Sequence, residues 1–239
     1  VATDDPVDIE IRPAATIVLV RDGDLGAEVL MVRRNRDAVF LGGAHVFPGG
    51  SIDPVDHSDL ARKAVTWTGD EAEFPWRAAA VRELAEEAGI CVGAEVDPAG
   101  REGADLYEHV IASGWRLDAD ALQYISNWVT PVGPPRRFDT RFYVVSATGQ
   151  VVTDDREVFD ATWIRPEDAL ARSDDGDWYL EFPTRMTLGA FVGHDSAASF
   201  LRQAHAMPVR RVAPRLGVGS DGSRRILLEG DPGFEDAPA

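Results

Sequence analysis

Trp76-Arg-Ala-Ala-Ala-Val-Arg-Glu-Leu-Ala-Glu-Glu-Ala-Gly89 is the stretch around which the other segments of the chain arrange themselves. Alanine and straight-chain residues fill it, Pro75 stands near its first turn, and Gly89 sits where a left-handed cap ends a helix. On a 3.6-residue period Val81, Leu84, Ala85 and Ala88 form an apolar stripe, while Glu83, Glu86 and Glu87 crowd together at i, i+3 and i+4. Each like-charged pair one turn apart costs a helix ~0.2–0.5 kcal/mol. Two readings are open: a solvated acidic face, or a set of hard oxygen ligands for a cation.

The 239 residues suffice for a full core, as one large domain or one domain with elaborations. Hydrophobic content of 44% and charged content of 27% are those of an ordinary globular protein. No apolar run reaches the ~18–20 residues that span a bilayer, so no membrane partner is expected. The acidic start at residues 1–8 lacks a secretory pattern, and Cys91 is the single cysteine, so a cytoplasmic setting is expected. The formal charge of −17 argues against broad nucleic-acid binding, which needs basic surface, but not against a small phosphorylated ligand. Lys63 is the only lysine. Arginine suits forked phosphate contacts, although a high-GC codon bias explains the preference more simply.

Outward from the helix, residues 14–21 and 27–33 read as two strands joined by a turn at Asp22-Gly23-Asp24. Leu41-Gly-Gly-Ala-His-Val-Phe-Pro-Gly-Gly-Ser51 must bring its backbone close to something, because Gly49 and Gly50 follow a strand-ending Pro48. Residues 58–65 suggest a short helix, 104–113 an amphipathic one and 120–125 a further helical turn. Residues 138–147 and 157–164 read as strands, Pro166 opens a helix, and 183–192 and 196–206 suggest two more. The arginine-rich apolar segments 209–212 and 224–228 suggest a final strand or pair. No linker divides the chain and no repeat appears, so the expectation is one α+β domain with grouped strands.

Glutamates on a helix face are weak evidence alone. Here Phe47-Pro-Gly-Gly50 precedes Asp56, and Arg82, Glu83, Leu84, Glu86, Glu87, Gly89 and Ile90 follow in order. The set resembles the Nudix box: glycine, five residues, an acid, a spacer, then Arg-Glu-aliphatic-x-Glu-Glu-x-Gly-aliphatic. Two departures stand out. Asp56 replaces the usual glutamate, and the spacer, residues 57–81, has 25 positions where the family pattern has seven, an excess of 18. A long insertion at this place, together with Gly43-Ala-His-Val-Phe-Pro-Gly-Gly50 and Arg137-Phe-Asp-Thr-Arg-Phe142, is similar to the subgroup containing the peroxisomal coenzyme A and acyl-CoA diphosphatases.

The resemblance implies a Nudix fold, a mixed β-sheet sandwiched between helices, with a core of about 14–170, an insertion of about 57–74 and extra C-terminal helices within 171–239. It implies metal-dependent cleavage of a nucleoside diphosphate linked to another moiety, first CoA or acyl-CoA, otherwise ADP-ribose or a nucleotide sugar. A nucleotide-sensing module without catalysis is the alternative of another class. Mg²⁺ or Mn²⁺ would be held by Glu83, Glu86 and Glu87 with the Gly49 or Gly50 carbonyl, Glu83 and Glu87 foremost. Arg82 would position the carboxylates by reaching Glu86, and Asp56 would brace the loop. Glu157 is the candidate general base, with Asp154 and Asp155 as competitors. Arg136, Arg137 and Arg141, with Gly50, are candidates for substrate binding, and an Arg137–Asp139 structural pair is the favoured alternative. His45 reads as a loop-stabilising residue, Cys91 as core, and Trp67, Trp76, Trp115 and Trp128 as packing residues. A homodimer is among the expected states.

Overall fold

The computed structural model describes residues 9–35, 42–98, 100–147, 151, 158–218 and 223–238. Strand β1 (Ile11–Gly23) is its axis. Ala15, Ile17 and Leu19 enter one core and Val18 and Val20 the other. A strand covered on both faces needs such an unbroken apolar run. β2 (Gly26–Arg34) returns antiparallel, with Gly23 opposite Gly26, which moves the turn to Asp24-Leu25, beyond the Asp22–Asp24 turn expected. β3 (His45–Val46) pairs with β2, and β4 (Gly49–Ser51) pairs with the first half of β1.

The inserted segment holds α1 (Asp59–Ala64) and β5 (Val65–Thr66). The Ser58 hydroxyl caps α1 by accepting from the Ala61 amide at 3.2 Å. The long helix α2 (Phe74–Ala88) is stopped by Gly89 at φ +70°, whose amide donates to the Ala85 carbonyl at 3.1 Å. Its alanines are buried on more than one side, since Ala78, Ala79 and Ala80 join the expected stripe in the core. Small side chains there let the helix lie close to the sheet and to α3 (Gly103–Ala112).

Next come β6 (Leu117–Asp118), parallel to β5, then β7 (Gln123–Val129) and β8 (Arg137–Ser146). The helical turn expected at 120–125 is instead the approach to β7. A register shift between Tyr124 and Ser126 sends Ile125 and Trp128 to the same core, and this break in alternation disguised the strand. β8 runs parallel to β1, from Ile11 opposite Arg137 to Val20 opposite Ser146. β9 (Val158–Ile164) pairs with β2. Helices α4 (Pro166–Asp174), α5 (Phe182–Ala190) and α6 (Ala197–Ala206) cover the second face. Asp22 accepts from the Ala197 amide at 2.7 Å and fixes the start of α6. The tail supplies β10 (Arg211–Val212), parallel to β7, and a separate hairpin of β11 (Arg215–Val218) and β12 (Arg224–Leu227).

The main sheet thus runs β10-β7-β8-β1-β2-β3, with β4 joined to β1 and β9 to β2. Helices α1–α3 cover one face and α4–α6 the other, the expected α+β sandwich. Among the described residues no helix is long and apolar enough to cross a membrane.

Candidate active site

Arg82 is the hub of the box helix and is almost wholly buried. Its Nε and Nη2 fork onto Asp56 Oδ1 and Oδ2, both at 2.9 Å. Nη1 donates to Glu83 Oε1 and Glu86 Oε2, each at 2.9 Å, and Nη2 reaches the Ser51 carbonyl at 3.1 Å. Asp56, also buried, further accepts from the Tyr107 hydroxyl at 2.7 Å and the Asp53 amide at 2.8 Å. Burial opposes the charge on Arg82, but its hydrogen bonds to Asp56 and the charges of Asp56 and the neighbouring glutamates outweigh it and raise its pKa. Removing the guanidinium would strand Asp56 in the core, where an unpaired charge costs about 3–5 kcal/mol. The 18 additional residues therefore leave the two parts of the box in direct contact.

The Pro48–Ser51 turn lies against the same helix. The Gly49 amide donates to Glu87 Oε2 at 2.8 Å, and Gly49 has φ +153°, with the position of a Cβ only 2.3 Å from the Ala15 carbonyl oxygen. A Cβ on Gly50 would fall 2.5 Å from the Glu83 carboxylate. Both glycines are needed for close approach, the first to backbone and the second to a side chain. Glu86 Oε1 accepts from the Gly103 amide at 2.7 Å, so this carboxylate holds the start of α3 as well as Arg82. Burial pushes the Glu83 pKa up to about 7, with Arg82 opposing and Glu86 adding to the rise. Glu86 is also raised, by burial, against the pull of Arg82 and the Gly103 amide.

Glu83, Gly49 and Gly50 line a cleft of about 650 Å³. Thr140, Phe142 and Phe138 of β8 form a wall, and Trp128 and Phe182 meet edge to face at 5.8 Å in another. Arg12, Arg34 and Arg136 also line it. Among the described residues none of these three arginines has a carboxylate partner, whereas Arg21, Arg62, Arg82 and Arg165 all do.

Of the expected substrate arginines, the fold brings only Arg136 to the cleft. Arg141 lies between Thr140 and Phe142 on β8, and strand alternation turns it to the opposite face. There its guanidinium stacks 4.0 Å from the Trp76 ring and lies 3.5 Å from Glu73. Arg137 donates to the Thr130 carbonyl at 3.1 Å instead of pairing with Asp139, which faces Asn127 and Arg211. Its position beyond the last β7–β8 pair, Val129 with Asp139, lets it turn back onto the loop. Trp128, expected only to pack, lines the cleft, and Arg12 and Arg34 were missed. Nothing local marks them, because Arg12 reaches the cleft through the pairing of β1 with β8 and β4, and Arg34 through the end of β2 that pairs with β3 and β9. His45 lies outside the cleft, its ring stacked on Trp178 at 4.0 Å. Glu157, Asp154 and Asp155 lie outside the described residues.

Fold and box together define a Nudix protein, and the sequence pattern of the NUDIX domain matches residues 10–182, so the chain belongs to that family. A NUDIX hydrolase from Alicyclobacillus acidocaldarius, known by crystal structure, is 32% identical with a TM-score of 0.67, over 80% of this chain and 96% of that one. Acyl-coenzyme A diphosphatase NUDT19 of Xenopus laevis is 26% identical over 204 residues, covering 60% of this chain and 54% of that protein. Its Gallus gallus counterpart is 26% identical over 229 residues, covering 67% and 60% respectively. The chain thus spans little more than half the length of these curated relatives.

Proposed function

We propose that the chain is a metal-dependent Nudix hydrolase that cleaves the diphosphate of CoA or acyl-CoA. One observation carries most weight: a chain of net charge −17 gathers three arginines that have no carboxylate partner among the described residues in the cleft lined by Glu83 and the Gly49-Gly50 turn. Uncompensated guanidiniums in an acidic protein suit a polyanion, which they bind by charge-assisted forks. The similarity to acyl-coenzyme A diphosphatases supports the choice of CoA. In this reading the core of about 14–170 does the chemistry, and the 57–74 insertion and the region after 170 elaborate it.

The donor set fits a hard cation, although among the described residues no three acidic, histidine or cysteine side chains already converge on one point. Glu83 is buried with a raised proton affinity, the condition that a divalent cation would relieve. Glu83 and Glu87, with Glu86 and the Gly49 carbonyl, would hold Mg²⁺ or Mn²⁺. Such an ion neutralises phosphoryl oxygens and lowers the pKa of bound water. Arg82 keeps the carboxylates in place, and Arg12, Arg34 and Arg136 bind and orient phosphate oxygens. Glu157 is the proposed general base.

A panel of CoA, acyl-CoAs, ADP-ribose, nucleotide sugars and NADH with Mg²⁺ or Mn²⁺ tests the assignment. Release of 3′,5′-ADP from CoA is expected. Turnover of ADP-ribose with none of CoA rejects the substrate. Glu83→Gln and Glu87→Gln should each lower kcat by roughly 10²-fold or more, the scale of losing a group that stabilises developing charge. Wild-type turnover in both variants rejects the site.

A further inference from the structure

The cleft extends past the span matched by the family. Pro214, Leu216 and Ile226 line it, yet all three lie beyond residue 182 and belong to the C-terminal hairpin or its approach. Among the described residues, the hairpin and its approach contribute only these three to the lining, all of them aliphatic and without a donor or acceptor side chain, whereas the polar Thr184 that also lies past residue 182 comes from α5. The hairpin is held over the β7–β8 turn: Leu216 Cδ1 lies 3.1 Å from where a Cβ on Gly133 would stand. Arg215 stacks 4.4 Å from the Phe234 ring and donates to the carbonyls of Phe234 at 2.9 Å and Ala237 at 3.2 Å. Ile226 is 37% exposed despite lining the cleft, so it has apolar surface left to cover.

Resting on the substrate class proposed above, we infer that this hairpin is a specificity element that receives the aliphatic acyl chain of an acyl-CoA. A nucleobase would need polar groups to read its edge, whereas a flexible hydrocarbon needs only dry surface, and that is what Pro214, Leu216 and Ile226 present. Glu83 lines the same cleft, so one ligand can place its diphosphate beside that carboxylate and its chain against the hairpin. Each methylene fully buried there is worth roughly fourfold in binding.

The test compares kcat/KM for free CoA, acetyl-CoA, hexanoyl-CoA and dodecanoyl-CoA, using the full chain with Mg²⁺. In the wild type kcat/KM is expected to rise with chain length, by about tenfold between acetyl and hexanoyl, since four added methylenes are only partly buried. Leu216→Asp and Ile226→Asp should flatten that rise, and Leu216→Ala should reduce it should the charged variant fold poorly. Val218→Asp, at a hairpin position that is 75% exposed and outside the cleft lining, should keep it. Cleavage of CoA without chain-length dependence, or a dependence unchanged in the Leu216 and Ile226 variants, overturns the inference while leaving the substrate class standing. Failure of every CoA species, with ADP-ribose cleaved, overturns both.

Discussion

His45 shows how a residue near the site can matter without taking part in chemistry. Its ring stacks within 3° of parallel on Trp178, and its backbone amide donates to the Tyr179 carbonyl at 2.9 Å, securing the strand that leads to the Pro48–Ser51 turn. Burial, with help from Arg33, pulls its pKa down from 6.5 to about 4. Its folded-state pKa being depressed, His45 supplies stability above pH ~6.5 that is lost as pH falls toward 4, because the unfolded chain takes up the proton first. The side chain is only partly buried, so the contribution is discounted to about 1–2 kcal/mol. Urea unfolding between pH 7 and 4 should show a shallower loss of stability for His45→Phe, which keeps the stack and cannot titrate. An unchanged slope would place the acid sensitivity elsewhere.

At the scale of single elements, the glycines of β4 separate two kinds of close approach. Gly49→Ala drives a Cβ into the Ala15 carbonyl and the Thr16 backbone, neither of which can rotate away. It should lower stability by about 2 kcal/mol or more, seen as a fall in Tm. For Gly50→Ala the nearest atoms are those of the Glu83 carboxylate, a side-chain end that can shift, so it should leave Tm within a few degrees and reduce kcat instead. Equal losses of Tm in the two variants would contradict this distinction. Much at this scale was legible in the sequence: α2, its Gly89 cap, the β1–β2 pair and the glycine turn all carry local signals. Alternation also marks Arg141 and Thr140 as opposite-facing, but which face becomes the cleft depends on β1 pairing with β8, 126 positions away at Ile11 and Arg137. The bulge in β7 hid a strand for the same reason, since its irregularity makes sense only against its partner.

Across the whole molecule, what escaped the sequence was how distant segments meet. Leu216 and Ile226 reach the cleft only through the hairpin, and Arg12 only through the sheet. Short spacing announces a carboxylate cluster, but no spacing announces a wall built from the other end of the chain. The inserted segment is likewise tied into the body: α1 and α3 share a core, and β5 pairs with β6. One of several links to the box helix, beside the Tyr107 hydroxyl on the Ala78 carbonyl, is the Glu86 carboxylate on the Gly103 amide, and this bond has a spectroscopic consequence. A cation that draws electron density from Glu86 weakens the acceptor, so the Gly103 amide proton should exchange faster with solvent and its resonance should shift upfield as Mg²⁺ is added. A ¹⁵N-resolved titration reads both, and a Gly103 signal that ignores Mg²⁺ while turnover responds would separate Glu86 from the bound ion. If the proposed site holds its ion, one amide at the foot of a helix outside the cleft lining would serve as a native gauge of occupancy that requires no label on the ligand.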